Sequence, residues 1–238
     1  MKNKASVLFR IAALAAAFLC AGAHAQTEEP TFIERDMVSG MQNQAALRAY
    51  QEGTRFMHAN LLAEAEERLL AAIELEPDFV DALDHLGIVY RKQQEYAKAE
   101  KVYLRSIEID PENTVPYANL ALIYRLQERL DQAIQVYETL MQRFPDDPES
   151  YYGLGQIHSQ RGDYKKSIGY LDQAIEKYRA IDSPYIYHAY AIQAENHYAL
   201  KENGEALMYY MLISLAYPED PHCKGRIEEL ENSKGDKK

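Results

Sequence analysis

Histidines are the first residues to test for chemistry. The chain has 238 residues and seven histidines; beyond His24 they stand at positions 58, 85, 158, 188, 197 and 222. No His-x3-His pair with a third ligand occurs, and Cys223 is the only cysteine apart from Cys20, so neither an imidazole nor a thiolate metal site is spelled out. Gly153-Leu154-Gly155 looks like a phosphate loop only out of context, because no strand pattern precedes it. There is no Gly-x-Ser-x-Gly elbow. Glu66-Glu67 and Glu228-Glu229 read as solvated helix faces or helix ends, not as paired acids in a cleft. Nothing here argues for an enzyme, a cofactor or a metal. What remains is an arginine pair, Arg91 and Arg125. Side by side, two guanidinium groups clamp a carboxylate or an acidic peptide; the alternative is that they only neutralise nearby acids such as Asp84.

The elements that position this pair follow from a repeat. Leu83-x2-Leu86-Gly87-x2-Tyr90, Ala99-x3-Tyr103 and Pro111 recur 34 residues on as Tyr117-x2-Leu120-Ala121-x2-Tyr124, Ala133-x3-Tyr137 and Pro145. On a helical wheel with Leu86 at zero, Tyr90, Leu83 and Gly87 fall at about 40°, 60° and 100°, one side of a helix. Gly87 and Ala99 are small where two helices cross, Tyr103 and Leu104 fill space against the next repeat, and Pro111 stops the second helix. This spacing resembles the tetratricopeptide repeat, a helix-turn-helix unit that stacks into a solenoid. The resemblance implies an all-α fold: a right-handed α-solenoid of about five helix pairs, ending in a short capping helix. The 19 tyrosines and absent tryptophan suit tyrosine at the large landmark sites, mostly as core.

Five repeats are expected, over 46–79, 80–113, 114–147, 148–181 and 187–220. In the fourth, the helix reads on through Ile181 where a proline is due at 179; five extra residues therefore enter before the fifth repeat, and Ser183-Pro184 restarts the helix. Residues 221–238 form a capping helix, with Ile227 and Leu230 on one side of Gly225 to Asn232, and a loose tail. Ahead of the repeats, 26–45 reads as a linker or short leading helix. Lys2, Lys4 and Arg10 precede an apolar run from Ile11 to Cys20 and then Ala23-His24-Ala25, the pattern of a secretory signal peptide ending at Ala25. That places the protein outside the cytoplasm, in the periplasm or, failing that, the extracellular space. From Ile11 to Ala23 is too short for a spanning helix, which needs roughly 20 residues, and no later stretch is long and apolar enough.

Loss of residues 1–25, three bases and no acids, takes the formal charge from −11 to −14. So acidic a surface repels nucleic-acid phosphates and anionic lipid. The wheel leaves Asp84, Arg91 and Ile88 at about 160°, 140° and 200°, opposite the signature. In solenoids of the family that this resembles, such a face lines a concave groove taking an extended or helical peptide. The expected groove is Tyr50, Asp84, Ile88, Arg91, Leu122, Arg125, Tyr152, Gln156, Glu195 and Tyr198. Thr54, Met57, Ala118, Ser159 and Ala191 are the remaining equivalents. The expected function is a non-catalytic scaffold that binds protein or peptide partners in the bacterial cell envelope, with self-association a variant. The alternative is a small-ligand-binding accessory protein of an envelope transporter.

Overall fold

The computed structural model describes residues 43–235, with side chains through Glu231, Asn232 and Ser233. The expected leader, nearly all of the linker and the last residues of the tail fall outside the described residues. Among the described residues there are eleven α-helices and no strand. They are α1 (Gln44–His58), α2 (Leu62–Leu75), α3 (Val80–Lys92), α4 (Tyr96–Ile109), α5 (Val115–Leu126), α6 (Leu130–Arg143), α7 (Pro148–Arg161), α8 (Tyr164–Ala180), α9 (Ile186–Ala199), α10 (Asn203–Ala216) and α11 (Pro221–Gly235). The chain forms two compact units divided between Pro145 and Asp146. α1 to α6 make three helix pairs of the N-terminal unit; α7 to α11 make two pairs and a closing helix of the C-terminal unit. In each unit the pairs stack as in an α-solenoid.

Each pair is made by the same turn. Just past the end of the first helix, by one residue at Gly162 and by two at the others, the backbone is left-handed at Asn60, Gln94, Glu128, Gly162 and Lys201, with φ of 57°, 62°, 60°, 83° and 62°. The next amide then donates back to the landmark aromatic or histidine: Leu61 to Phe56, Glu95 to Tyr90, Arg129 to Tyr124, Asp163 to His158 and Glu202 to His197, all at 2.8–2.9 Å. This is the Schellman closure of a helix C-terminus. Only Gly162 meets the left-handed backbone without a Cβ penalty; the other four hold it with ordinary side chains.

The helix crossings explain the small landmarks. A Cβ on Gly87 would come within 2.4–2.9 Å of the Tyr103 ring edge, and one on Gly53 or Gly155 would overlap Leu69 or Leu171. Tyr103 is fully buried, along with Leu69, Leu140, Leu154 and Leu171, so the core is a string of pair interfaces. Burying a side chain of that size contributes about 2–3 kcal/mol. Leu104, expected to fill the next interface beside Tyr103, is instead exposed: it faces away from the crossing on the outer side of α4.

The extra residues of the fourth repeat lengthen its second helix and the turn after it. α8 runs 17 residues where the other second helices run 14. It ends in the same kind of closure, with Asp182 at φ 52° and Ser183 N–H donating to the Tyr178 carbonyl at 2.9 Å. The added turn lays Tyr185 against Tyr178 and His188, with ring centroids 6.4 and 5.7 Å apart.

Both terminal helices turn a polar face outward. The α3 positions Ala82, His85, Leu86 and Val89 are all buried. Their α1 equivalents, one period back, are Arg48, Gln51, Glu52 and Arg55, exposed or half-buried. At the other end α11 buries Cys223 and Leu230 and leaves Lys224, Glu228 and Glu231 exposed. α11 is longer than the expected 225–232. Burial of Cys223 removes its thiol from mixed-disulfide chemistry.

Candidate functional site

In the N-terminal unit the expected groove residues divide into two sets. Ile88, Arg91, Leu122 and Arg125 are half-buried on the last turns of α3 and α5, at equivalent places one period apart. Lys92 and Leu126, next along the two helices, are exposed. The Arg125 Nε is buried without a hydrogen-bond partner. An apolar pair flanked by cationic side chains is thus open on an otherwise acidic protein.

Tyr50 and Asp84 do not belong to that open face. Tyr50 is buried, tilted against Phe79 at 4.9 Å and stacked on His85 at 5.1 Å. Asp84 is fully buried: its Oδ1 accepts from the Ser106 hydroxyl at 2.6 Å and its Oδ2 from the Asn113 side-chain amide at 2.7 Å. Asn113 in turn accepts from the Val115 amide at 3.1 Å and so sets the start of α5. Asp84 is therefore a structural fastener across α3, α4 and the α4–α5 turn. Burial pushes its carboxyl up to about 7, against the pull of the Ser106 and Asn113 bonds. Beside it, burial and the nearby His58 push His85 down to about 4, and its Nδ1 meets the Thr54 hydroxyl at 2.9 Å.

In the C-terminal unit the expected groove residues bond to one another or to α11. Gln156 is buried and donates to the Tyr152 hydroxyl at 2.8 Å, so it does not line an open surface. Ser159, also buried, donates to Asn196 at 2.7 Å, and Asn196 donates to Ser167 at 2.8 Å. Glu195 accepts from the Tyr210 hydroxyl at 2.6 Å and meets His222 of α11 at 2.9 Å. Tyr198 donates to Glu229 of α11 at 2.5 Å, while the Arg226 guanidinium sits 4.0 Å over its ring. In the first turn of α7, burial pushes the Glu149 carboxyl up to about 7 while it accepts from the Tyr178 hydroxyl at 2.7 Å.

The landmark aromatic at the helix turn is served differently in the two units. Lys98 lies 5.0 Å over Tyr90 and Arg129 lies 4.3 Å over Tyr124, cation–π contacts that fasten the turn. In the fourth and fifth repeats the residue is a histidine: His158 stacks on Tyr170 at 5.4 Å with Asp163 at 3.5 Å, and His197 stacks on Tyr209 at 5.7 Å with Glu202 at 2.6 Å. These imidazoles are interface residues. No cluster of three metal-ligating side chains occurs among the described residues.

A stack of helix pairs with half-buried side chains along its inner helices is the architecture of a repeat scaffold. The comparisons make the class specific. The tetratricopeptide repeat family matches over residues 78–145 and 112–180, and this stretch is made of repeats of that family. It is similar in fold to a tetratricopeptide repeat protein from Parabacteroides merdae (TM-score 0.63, 21% identity, covering 81% of this chain and 75% of that one). PilF of Pseudomonas aeruginosa is similar as well (TM-score 0.64, 18% identity, 79% of this chain and 91% of that one). So is a chain of the APC/C hetero-tetramer Cut9–Hcn1 (TM-score 0.68, 17% identity), of which the likeness spans only 37% against 79% of this chain. No curated protein sequence matches. At these identities the likeness is one of fold.

Proposed function

We propose that the protein is a non-catalytic scaffold of the bacterial cell envelope and that the inner face of its N-terminal unit holds a partner segment. The observation that carries this reading is the alignment of Arg91 and Arg125 on successive inner helices with Ile88 and Leu122 beside them. A segment with a carboxylate or acidic side chain next to an apolar residue fits that face. The fold supports the class: tetratricopeptide repeat proteins bind protein partners, and one similar structure is itself a hetero-tetramer. The envelope setting rests on the leader pattern of residues 1–25; among the described residues no helix is long and apolar enough to cross a membrane.

The test joins both parts. Full-length protein is expressed with its leader, fractionated, and the N-terminus of the exported form sequenced; Gln26 is expected. That form is then used as bait in envelope extract beside Arg91→Glu/Arg125→Glu. A defined protein held by the first and lost from the second, then rebuilt from purified components, supports the reading. Equal capture by both baits refutes the inner-face site, and retention in the cytoplasm refutes the location.

A further inference from the structure

The outward face of α10 departs from that of every other second helix. The position of Met208 is filled in the first four repeats by Glu67, Lys101, Gln135 and Gly169. That of Leu215 is filled by Glu74, Glu108, Gln142 and Glu176, and that of Met211 by Leu70, Leu104, Glu138 and Asp172. In α10 Met208, Met211 and Leu215 are 48%, 50% and 80% exposed. Together with Leu207, Leu212 and the small Gly204 they line a shallow apolar depression. No charged residue occurs from Ala206 to Pro218. The opposite side of α10 is already core, through Ala206, Tyr210 and Ile213. A helix apolar all round is one with protein on both sides.

Size and charge narrow what covers it. From Gly204 to Leu215 the helix rises about 17 Å, and one helix diameter of about 10 Å makes the strip on the order of 200 Å². A stable symmetric dimer buries about 800 Å² on each partner, so the strip is the footprint of one helix. Of the charged residues bordering it over 201–219, Glu202, Glu205 and Glu219 are acidic and Lys201 is the one base. A second copy would bring the same acids and the same net negative charge; a helix with lysine or arginine near its ends is attracted. Methionine side chains also mould to a partner of unspecified shape. We propose that the outer face of α10 docks a single amphipathic helix of a partner protein, apolar along the side that meets Met208, Met211 and Leu215 and basic toward its ends. This surface is independent of the inner face of the N-terminal unit.

The test restores the polar character that the other repeats keep there: Met208→Gln/Met211→Gln/Leu215→Gln. Equivalent positions already carry polar residues, so the fold is expected to persist, as checked by far-UV circular dichroism. The probe is a labelled 14-residue leucine–lysine amphipathic helix, beside a scrambled peptide of the same composition, read by fluorescence anisotropy. Wild type should bind the helix at least ten-fold more tightly than the triple variant, and Arg125→Gln should bind it like wild type. Equal binding by the triple variant, or of the scrambled peptide, would reduce the effect to charge attraction and overturn the proposal. So would a wild-type dimer in sedimentation that the triple variant converts to monomer, since the occupant would then be a second copy. Binding to phosphatidylcholine vesicles that the variant loses would likewise overturn it in favour of lipid.

Discussion

Replacing Asp84 by asparagine should change how the fold depends on pH. The carboxylate is fully buried and held by Ser106 and Asn113, and burial raises it from 3.8 to about 7. The folded value lies above the unfolded one, so folding favours the neutral acid. The stability tied to this group is fully present below pH 3.8 and is lost as pH rises through 7. A shift of about three pH units corresponds to about 4 kcal/mol over the whole range, of which about 2–3 kcal/mol falls between pH 5 and 8. His85 pulls the other way: its folded value is about 4, so its contribution is present above 6.5 and lost as pH falls toward 4. Glu149 shares the sign of Asp84. The wild-type profile therefore mixes opposing slopes, and the difference between wild type and variant isolates one of them. An asparagine at 84 still accepts from Asn113 while donating to the Ser106 hydroxyl, so at pH 5 the two chains should agree within about 1 kcal/mol. Urea unfolding followed by circular dichroism at pH 5, 6.5 and 8 should then show Asp84→Asn gaining about 2–3 kcal/mol on wild type by pH 8. A difference that stays constant across the three pH values would refute the buried, proton-holding carboxyl.

Three further outcomes are expected. Gly87→Ala should cost about 1–3 kcal/mol, because the added methyl meets the Tyr103 ring; Gly169→Ala, a helical glycine with open space around it, should instead stabilise by about 0.5–1 kcal/mol. Thermal midpoints measure both, and a stable Gly87→Ala chain would contradict the close crossing. Glu128→Gly relieves a left-handed backbone at φ 60° and should stabilise by about 0.5–1 kcal/mol, whereas Gly162→Ala at φ 83° should lose about 1 kcal/mol. Asn196→Ala strips partners from Ser159 and Ser167 at once and should cost about 2–4 kcal/mol, seen as earlier loss of amide protection in α7 to α9. Unchanged protection there would mean that the two hydroxyls find other partners.

The repeat was legible because close crossings tolerate few residue types. Gly53, Gly87 and Gly155 face Leu69, Tyr103 and Leu171 at contact distance, and such positions announce themselves in the sequence. The inner face was legible only in part, because a helical wheel assigns a whole sector to solvent and the neighbouring repeat covers some of it. Ile88, Arg91, Leu122 and Arg125 lie in the uncovered portion. Tyr50, Asp84 and Gln156 lie under the neighbours, where a buried acid could have been suspected from Ser106 at a small landmark position and Asn113 just past the helix. Glu195 and Tyr198 are engaged by α11, whose residues repeat none of the landmarks, so nothing in the period revealed the contact. The apolar exterior of α10 was readable from the repeat alignment but looks like core when taken alone.

The polar outer faces of α1 and α11 bear on growth. A stack of identical layers is open-ended by construction: if Arg48, Gln51 and Arg55 were the alanine, histidine and valine of the next repeat, the first helix would be a template for another chain's last layer. Head-to-tail addition of this kind does not close, and it yields filaments. Arg48, Gln51 and Arg55 on α1 and Lys224, Glu228 and Glu231 on α11 put polar side chains where an added layer would need apolar contact, and so disfavour such addition at either helix.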